Sequence, residues 1–379
     1  MQMTEKFGFV GDDESMTFND VLEIKNGKNQ KAVENPKGTY PIYGSGGVMG
    51  YADDYICKAD TIVIGRKGSI NNPIYVDEPF WNVDTAFGLE AKKDVLKPHY
   101  LYYFCKKFDF ERLNKAVTIP SLTKSDLLKI EINLPDLDEQ QGIIDKLMKI
   151  EKIIQYRKDE LSSLDELIKA RFVEMFGNPV QNTKGWNTDT CKNLTSKIGS
   201  GATPKGGRES YGTEGISLIR SMNIYNNRFE YKDLAYITNE QADKLSNVTI
   251  EENDVLLNIT GASVARCCVV PKGLIPARVN QHVAIVRCQD RLLPEFLCNM
   301  FTENNYQRLL WSIATSGGAT REAITKQQIE DLILIVPPIE LQRQFVDFVR
   351  QIDKSKVAIE KELKKTQLLF DSLMQKYFG

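Results

Sequence analysis

The sequence predicts an α+β protein: two mixed α/β units related by internal pseudo-two-fold symmetry and separated by a long antiparallel two-helix coiled coil. Three observations lead there. Residues 134–177 recur as 336–379 at a constant offset of 202 residues. Each copy carries an apolar heptad pattern. The stretch ahead of each copy is broken by Gly and Pro into short β-branched and aromatic runs. The division that follows is 1–134 for the first unit, 135–177 for the central helix, 178–336 for the second unit and 337–379 for the C-terminal helix.

The duplicated stretch opens on a proline and closes on Phe-Gly in both copies, with Phe176-Gly177 falling on Phe378-Gly379. A heptad count places Leu147, Ile154, Leu161, Ile168 and Met175 at a, with Ile143, Ile150, Arg157, Leu164 and Arg171 at d. The same frame moved along puts Val349, Lys356, Leu363, Phe370 and Tyr377 at a, and Phe345, Ile352, Ile359, Thr366 and Leu373 at d. The expected apolar seam is therefore Leu147, Ile154, Leu161, Leu164 and Ile168 against Val349, Ile352, Ile359, Leu363 and Phe370. Arg157, Arg171, Lys356 and Thr366 interrupt it, and each is costly there unless paired.

The first unit is read as short strands joined by Gly-rich turns. Tyr40-Pro41-Ile42-Tyr43 runs into Gly44-Ser45-Gly46-Gly47, and Thr61-Ile62-Val63-Ile64 into Gly65-Arg66-Lys67-Gly68-Ser69. Residues 82–89 alternate as one half-buried strand would, and 99–113 has helical spacing at Leu101, Phe104, Phe108 and Leu113. The second unit repeats the plan loosely: Asp254-Val255 answers Asp60-Thr61, Ser263-Val264 answers Ser69-Ile70, and Phe296-Leu297 answers Tyr100-Leu101.

Composition narrows the chemistry. Lys and Arg number 49 against 51 Asp and Glu, so no broad basic face is available and nucleic-acid contact must come from local clusters or a partner. No apolar run reaches the roughly 18 residues of a membrane span, and the first residues lack a signal peptide's apolar centre, which places the protein in the cytoplasm with no membrane partner. Seven cysteines without a Cys-x-x-Cys read as reduced core thiols. Two histidines, His99 and His282, with no cysteine pair nearby, argue against a metal site. Gly65-Arg66-Lys67-Gly68-Ser69 lacks the spacing of a phosphate loop. Asn72-Pro73-Ile74-Tyr75 lacks the second proline of an amino-methyltransferase motif, and Pro135-Asp136 lacks the rest of a nuclease motif. No catalytic residues are expected.

The polar loops carry more information. In the first unit Tyr43, Ser45, Arg66, Lys67, Ser69 and Asn71 sit in or beside Gly-rich turns, where backbone can approach a ligand closely. In the second the corresponding set is Thr203, Lys205, Arg220, Ser221, Asn223, Thr260, Ser263 and Arg266, with Asn280, Gln281 and His282. Arg matches guanine, Asn and Gln match adenine, and Lys matches phosphate.

These loop motifs, the second unit's Leu218-Ile219-Arg220-Ser221 and Asn280-Gln281-His282-Val283, and the paired openings at Leu134-Pro135 and Val336-Pro337 resemble the DNA-specificity subunits of type I restriction-modification systems. The resemblance covers almost the whole chain. It implies two target-recognition domains on double-stranded DNA, each reading half of a split site, and helices that dock two methyltransferase subunits. S-adenosylmethionine would sit on those subunits, none on this chain, and a motor nuclease restriction subunit would join for cleavage. Leu341 stands where the first copy has Glu139, so the two helix openings are not chemically identical. Two alternatives stay open: the specificity subunit of a type IIB/IIG-like system, and a coiled-coil adaptor that does not bind DNA.

Overall fold

The computed structural model describes residues 15–115, 118–204, 206–316 and 322–379. By contacts the chain forms two compact units, one of residues 1–158 with 360–379 and the other of 159–359. The division thus runs through both long helices, whereas the sequence division set each helix apart as its own segment. The reason is local: the ends of each helix carry a wide apolar face and are built into the core of a unit.

In the first unit Ser15–Thr17 (β1) leads through a one-turn helix, Phe18–Val21 (α1), into Leu22–Asn26 (β2), Tyr40–Gly44 (β3), Gly47–Ala52 (β4), Thr61–Gly65 (β5), Ile74–Val76 (β6), Trp81–Asn82 (β7) and Ala86–Ala91 (β8). The helices Pro98–Lys107 (α2) and Lys124–Leu127 (α3) follow, then Glu131–Asn133 (β9) and the long helix Leu137–Phe176 (α4). One sheet has the order β2-β8-β5-β6 and a second has β4-β3-β7. The 82–89 stretch is not one alternating strand. It breaks at residues 83–85, and Ala86 to Leu89 are buried on both faces because β8 is central between β2 and β5. The helix at 99–113 also stops early, at Lys107, and Asp109 caps a separate 3-10 turn over Phe110–Leu113.

The second unit repeats this plan with its own elements: Thr188–Thr190 (β10), Cys191–Leu194 (α5), Thr195–Ser200 (β11), Ile216–Ile219 (β12), Ile224–Tyr225 (β13), Arg228–Phe229 (β14) and Ala235–Ile237 (β15) come first. Asn239–Asp243 (α6), Val255–Asn258 (β16), Cys267–Val269 (β17), Ala277–Val279 (β18), Val283–Cys288 (β19), Pro294–Thr302 (α7), Asn304–Thr315 (α8), Lys326–Glu330 (α9), Ile333–Ile335 (β20) and Ile339–Phe378 (α10) complete it. The sheet orders β11-β19-β16-β17 and β15-β12-β18 match those of the first unit, and β3–β7 and β12–β18 are both parallel pairs. The β13–β14 hairpin has no counterpart among the described residues of the first unit.

Both long helices have 40 residues, about 60 Å at about 1.5 Å per residue. Asp136 caps α4 by accepting the Glu139 N–H at 2.8 Å. In the second copy Pro338 takes that place. Within each unit the two helix segments run antiparallel. In the first, Lys106 lies between Glu151 and the Phe370 ring, while Arg157 reaches the Glu362 carbonyl and Thr366 Oγ1. In the second, Phe172 meets Phe345 at 5.4 Å and Lys356 pairs with Asp165 at 2.6 Å.

Leu147, Ile154, Ile168, Val349 and Phe370 are buried, and Leu161, Leu164, Ile352, Ile359 and Leu363 are half-buried. Near the helix ends Ile144, Phe172, Val346 and Met374 are buried as well, so the apolar stripe there is wider than a two-position seam and faces a globular core. The polar interruptions find partners: Arg157 and Lys356 as above, Thr366 on the Glu362 carbonyl at 2.8 Å, and Arg171 on Glu174 at 2.8 Å. Arg171 Nε alone is buried without one. No helix among the described residues is long and apolar enough to cross a membrane.

Candidate nucleic-acid interface

At one end of each four-stranded sheet the connecting loops are tied together by backbone hydrogen bonds. In the first unit Lys28 N–H donates to Asn82 O (2.8 Å), Val83 to Tyr43 O (3.0 Å), Arg66 to Thr85 O (2.8 Å) and Gly68 to Pro120 O (3.0 Å). In the second Gly201 donates to Asn280 O (3.1 Å), Asn280 to Ile219 O (3.1 Å), Ile259 to His282 O (3.0 Å) and Gly261 to Glu322 O (3.0 Å). Gly27 and Gly201 are equivalent in a demanding way: a Cβ on either would lie 1.8 Å from a carbonyl oxygen, that of Val83 or Val279. Only glycine allows that approach. These bonds pair Gly68 with Gly261, so Ser69 and Ser263 are one residue out of the step their sequences suggest.

In the first unit the loop cluster exposes Arg66, Lys67 and Ser69, while Ser45 is half-buried at the β3–β4 turn. The Arg66 guanidinium lies 5.7 Å from the Phe87 ring centre. Two sequence candidates are spent on the fold instead. Asn71 donates to Asp109 Oδ1 at 3.0 Å and accepts the Phe110 N–H at 2.7 Å, clamping the 3-10 turn. Tyr43 is half-buried edge-on to Phe80 at 5.3 Å, and burial pushes its phenol pKa up. Sequence reading missed the β3–β4 tip, where Val48 and Met49 are exposed at 54% and 63%. Their apolar character reads as core, but both side chains face outward from β4.

In the second unit Thr203, Gln281, His282 and Thr260 form one hydrogen-bonded chain across three loops. Thr203 Oγ1 donates to Gln281 Oε1, Gln281 Nε2 lies 3.1 Å from His282 Nε2, and His282 Nδ1 lies 2.6 Å from Thr260 Oγ1. An amide nitrogen can only donate, so His282 accepts at Nε2 and carries its proton on Nδ1. Buried Asn280 accepts the His282 backbone N–H at 3.0 Å and fixes the loop. Asn223, a sequence candidate, is fully buried and donates to Glu230 O (2.9 Å) and Lys232 O (3.3 Å), which makes it a loop staple. Arg220 is half withdrawn, donating to Asp233 O with its guanidinium 5.5 Å from the Tyr211 ring centre. Ser221 and Ser263 both bind Asn258 Nδ2, through a carbonyl at 2.9 Å and a hydroxyl at 3.3 Å. Lys205 lies outside the described residues.

Arg266 and Arg228 both lie over Tyr225, at 4.7 and 4.9 Å from the ring centre. Tyr225 and Arg228 were not singled out from the sequence, although Tyr-Asn-Asn-Arg between Ile224 and Phe229 is a recognisable two-residue hairpin. The rest of the titratable inventory is structural. Asp254, fully buried, takes a two-pronged bond from Arg287 at 2.7 and 2.9 Å, and this pairing raises the arginine's pKa. The His99 ring packs against that of Tyr75, tilted by 36° with 4.1 Å between centres. The cysteines are free, and burial pushes Cys57 and Cys191 up to about 12. No group of His, Cys, Asp and Glu able to hold a metal is found among the described residues.

The model of the type I restriction modification DNA specificity domain matches residues 11–166 and again 183–368. The chain belongs to that family. The two matches to the specificity domain fall on the two halves of the duplicated plan. The type I restriction enzyme EcoBI specificity subunit of Escherichia coli is 21% identical over 373 residues, covering 89% of this chain and 76% of that protein. Two solved structures share the fold. The S subunit of a type I restriction-modification system from M. genitalium has TM-score 0.62 at 18% identity, over 100% of this chain and 99% of that one. A chain from a structural study of complex assembly and conformational transition in a type I R-M system has TM-score 0.58 at 16% identity, over 96% and 97%.

Proposed function

We propose that this specificity-domain protein binds double-stranded DNA sequence-specifically as the non-catalytic specificity subunit of a type I restriction-modification complex, each unit reading one half of a bipartite site. The observation that carries the reading is the repeated convergence of polar loops at the same end of two equivalent sheets. Arg66, Lys67 and Ser69 are presented there in one unit, and the Thr203–Gln281–His282–Thr260 chain in the other. Side chains held by one another or by a fixed turn suit direct readout, because less rotamer freedom is lost on binding.

The long helices are the docking surface for two methyltransferase subunits, which bring S-adenosylmethionine, and a restriction subunit joins that assembly. Exposed apolar side chains on helix segments that already form part of a core support this: Ile153, Tyr156, Leu368 and Leu369 in the first unit, and Leu167, Val173 and Val357 in the second. With acidic and basic residues nearly balanced, the chain alone binds DNA weakly and its partner supplies much of the phosphate neutralisation. The test is to express the chain with its methyltransferase partner in a host lacking both and to map methylated adenines across the genome. A single interrupted motif supports the reading, and an unmodified genome with a stable complex in hand overturns it.

A further inference from the structure

The Arg228–Tyr225–Arg266 cluster is absent from the plan shared by the two units and is not needed to hold the second unit's core. Tyr225 is half-buried in the β13–β14 hairpin, Arg228 is exposed at its far side, and Arg266 comes from the turn before β17. Several contacts fix these pieces together. Asn227 N–H donates to Cys267 O at 2.8 Å, and Gln307 Nε2 donates to both Asn226 Oδ1 (3.1 Å) and Ala265 O (3.3 Å). Ala265, directly before Arg266, is buried with φ at 68°, a conformation uncommon for a residue with a side chain and one that needs surrounding support.

Two guanidiniums are thus held close to one ring, where their mutual repulsion works against the arrangement. Compensation is slight. Glu230 approaches Arg228 only to 3.9 Å, with the arginine side chain exposed and the glutamate half-buried, and Arg266 has no ion pair among the described residues. Stacking on an aromatic face orients a guanidinium and leaves its N–H edge free. A pair of ordered, undercompensated cations with free edges matches a full negative charge carried on several oxygens, and a base edge offers only partial charges. The cluster also adjoins the proposed reading loops: Tyr225 lies two residues beyond the 221–223 turn, and Arg266 is bonded into the turn at Ser263 and to Asn258.

We infer that Arg228 and Arg266, ordered by Tyr225, clamp a phosphate of the DNA backbone and so set the register of the second unit on the duplex without reading sequence. This rests on the function proposed above and names residues and a role that it leaves open.

The experiment uses the complex with its methyltransferase partner and measures DNA affinity against salt for the cognate site and for a scrambled duplex. Arg228→Ala and Arg266→Ala each lower affinity for both duplexes by the same factor and make the slope of log K against log salt shallower by about one. Arg228→Lys keeps the slope, since a lysine still neutralises a phosphate. Tyr225→Phe keeps the ring and behaves as the parent, whereas Tyr225→Leu weakens binding to both duplexes alike. Loss of discrimination with an unchanged slope assigns the arginines to bases and overturns the inference alone, as does no change in either quantity. A parent complex without salt-dependent DNA binding overturns the proposed function and this inference with it.

Discussion

Gln140 Oε1 accepts the backbone N–H of Lys97 at 2.8 Å, just where α2 begins, and Gln342 Oε1 accepts that of Leu293 at 2.9 Å, where α7 begins. Both glutamines are fully buried and also donate to two carbonyls, Val95 and Pro135 in one case and Arg291 and Pro337 in the other. Each fastens the start of a long helix to the globular core beside it. Gln140→Leu, nearly equal in volume, leaves buried donors and acceptors unsatisfied and should cost about 1–3 kcal/mol. Urea unfolding checks this, and a change within about 0.5 kcal/mol would show that water replaces the amide freely.

Phe172 and Tyr156 lie on the same helix and should behave oppositely. Phe172 is buried, stacked on Phe296 at 5.6 Å and edge-on to Phe345, so Phe172→Ala should cost about 3–5 kcal/mol. Tyr156 is 59% exposed, so Tyr156→Ala should leave the melting temperature unchanged and weaken association with the methyltransferase subunit. Calorimetry and sedimentation of the mixed subunits separate the two effects. Full assembly by the Tyr156 variant would remove that part of the helix from the docking surface.

Arg66→Ala and Gln281→Ala address recognition. Each should relax selectivity at positions in a different half of the site, by about 1–3 kcal/mol of lost discrimination. Binding selections on randomised half-sites report this directly. If both relax the same half, the two units are not independent readers.

Asp60 contributes to the acid response of the first unit, together with Asp20, Glu23 and Asp126, whose pKa values are also held down. Hydrogen bonds from Lys93 and then Tyr75 hold the Asp60 pKa below the ordinary carboxylate value of 3.8. The folded state therefore binds this proton less readily than the unfolded chain. The stabilisation is present above pH about 4 and is lost as pH falls through the folded-state value. Asp60→Asn removes this contribution, so stability should fall modestly on the neutral plateau and match the parent once pH drops below the folded-state value, which flattens the acid limb. An unchanged acid limb would place the titration elsewhere.

The long helices were legible from the sequence because their period spans many turns and is stated twice. Every a and d position of the frame, the four polar interruptions included, is buried or half-buried. The strands were harder. Residues 82–89 alternate by chance, and only their position between β2 and β5 shows why no face is left for water. Among the loop residues, type alone could not separate Asn223, which holds its own loop, from Gln281, which stands exposed on the outside of another. The difference lies in which carbonyls surround an amide, and that depends on partners far along the chain. Arg228 escaped notice because its significance comes from Arg266, on another turn, sharing the same ring.

The short pairs β1–β9 and β10–β20 have a consequence for how such proteins diversify. Met16 stands opposite Ile132, and Asp189 opposite Leu334, so the chain enters and leaves each globular unit through two adjacent antiparallel strands. Everything between those strands hangs from a single doorway. A foreign segment whose two ends are equally close could be spliced in there by recombination, leaving the strand at either margin and the helix beyond it untouched. One crossover inside a strand pair would then give a hybrid that keeps one half of its old preference and acquires a new other half, and the incoming segment has only to match the helix faces that complete its core, such as Ile144 and Leu147 in the first unit or Phe172 and Phe345 in the second.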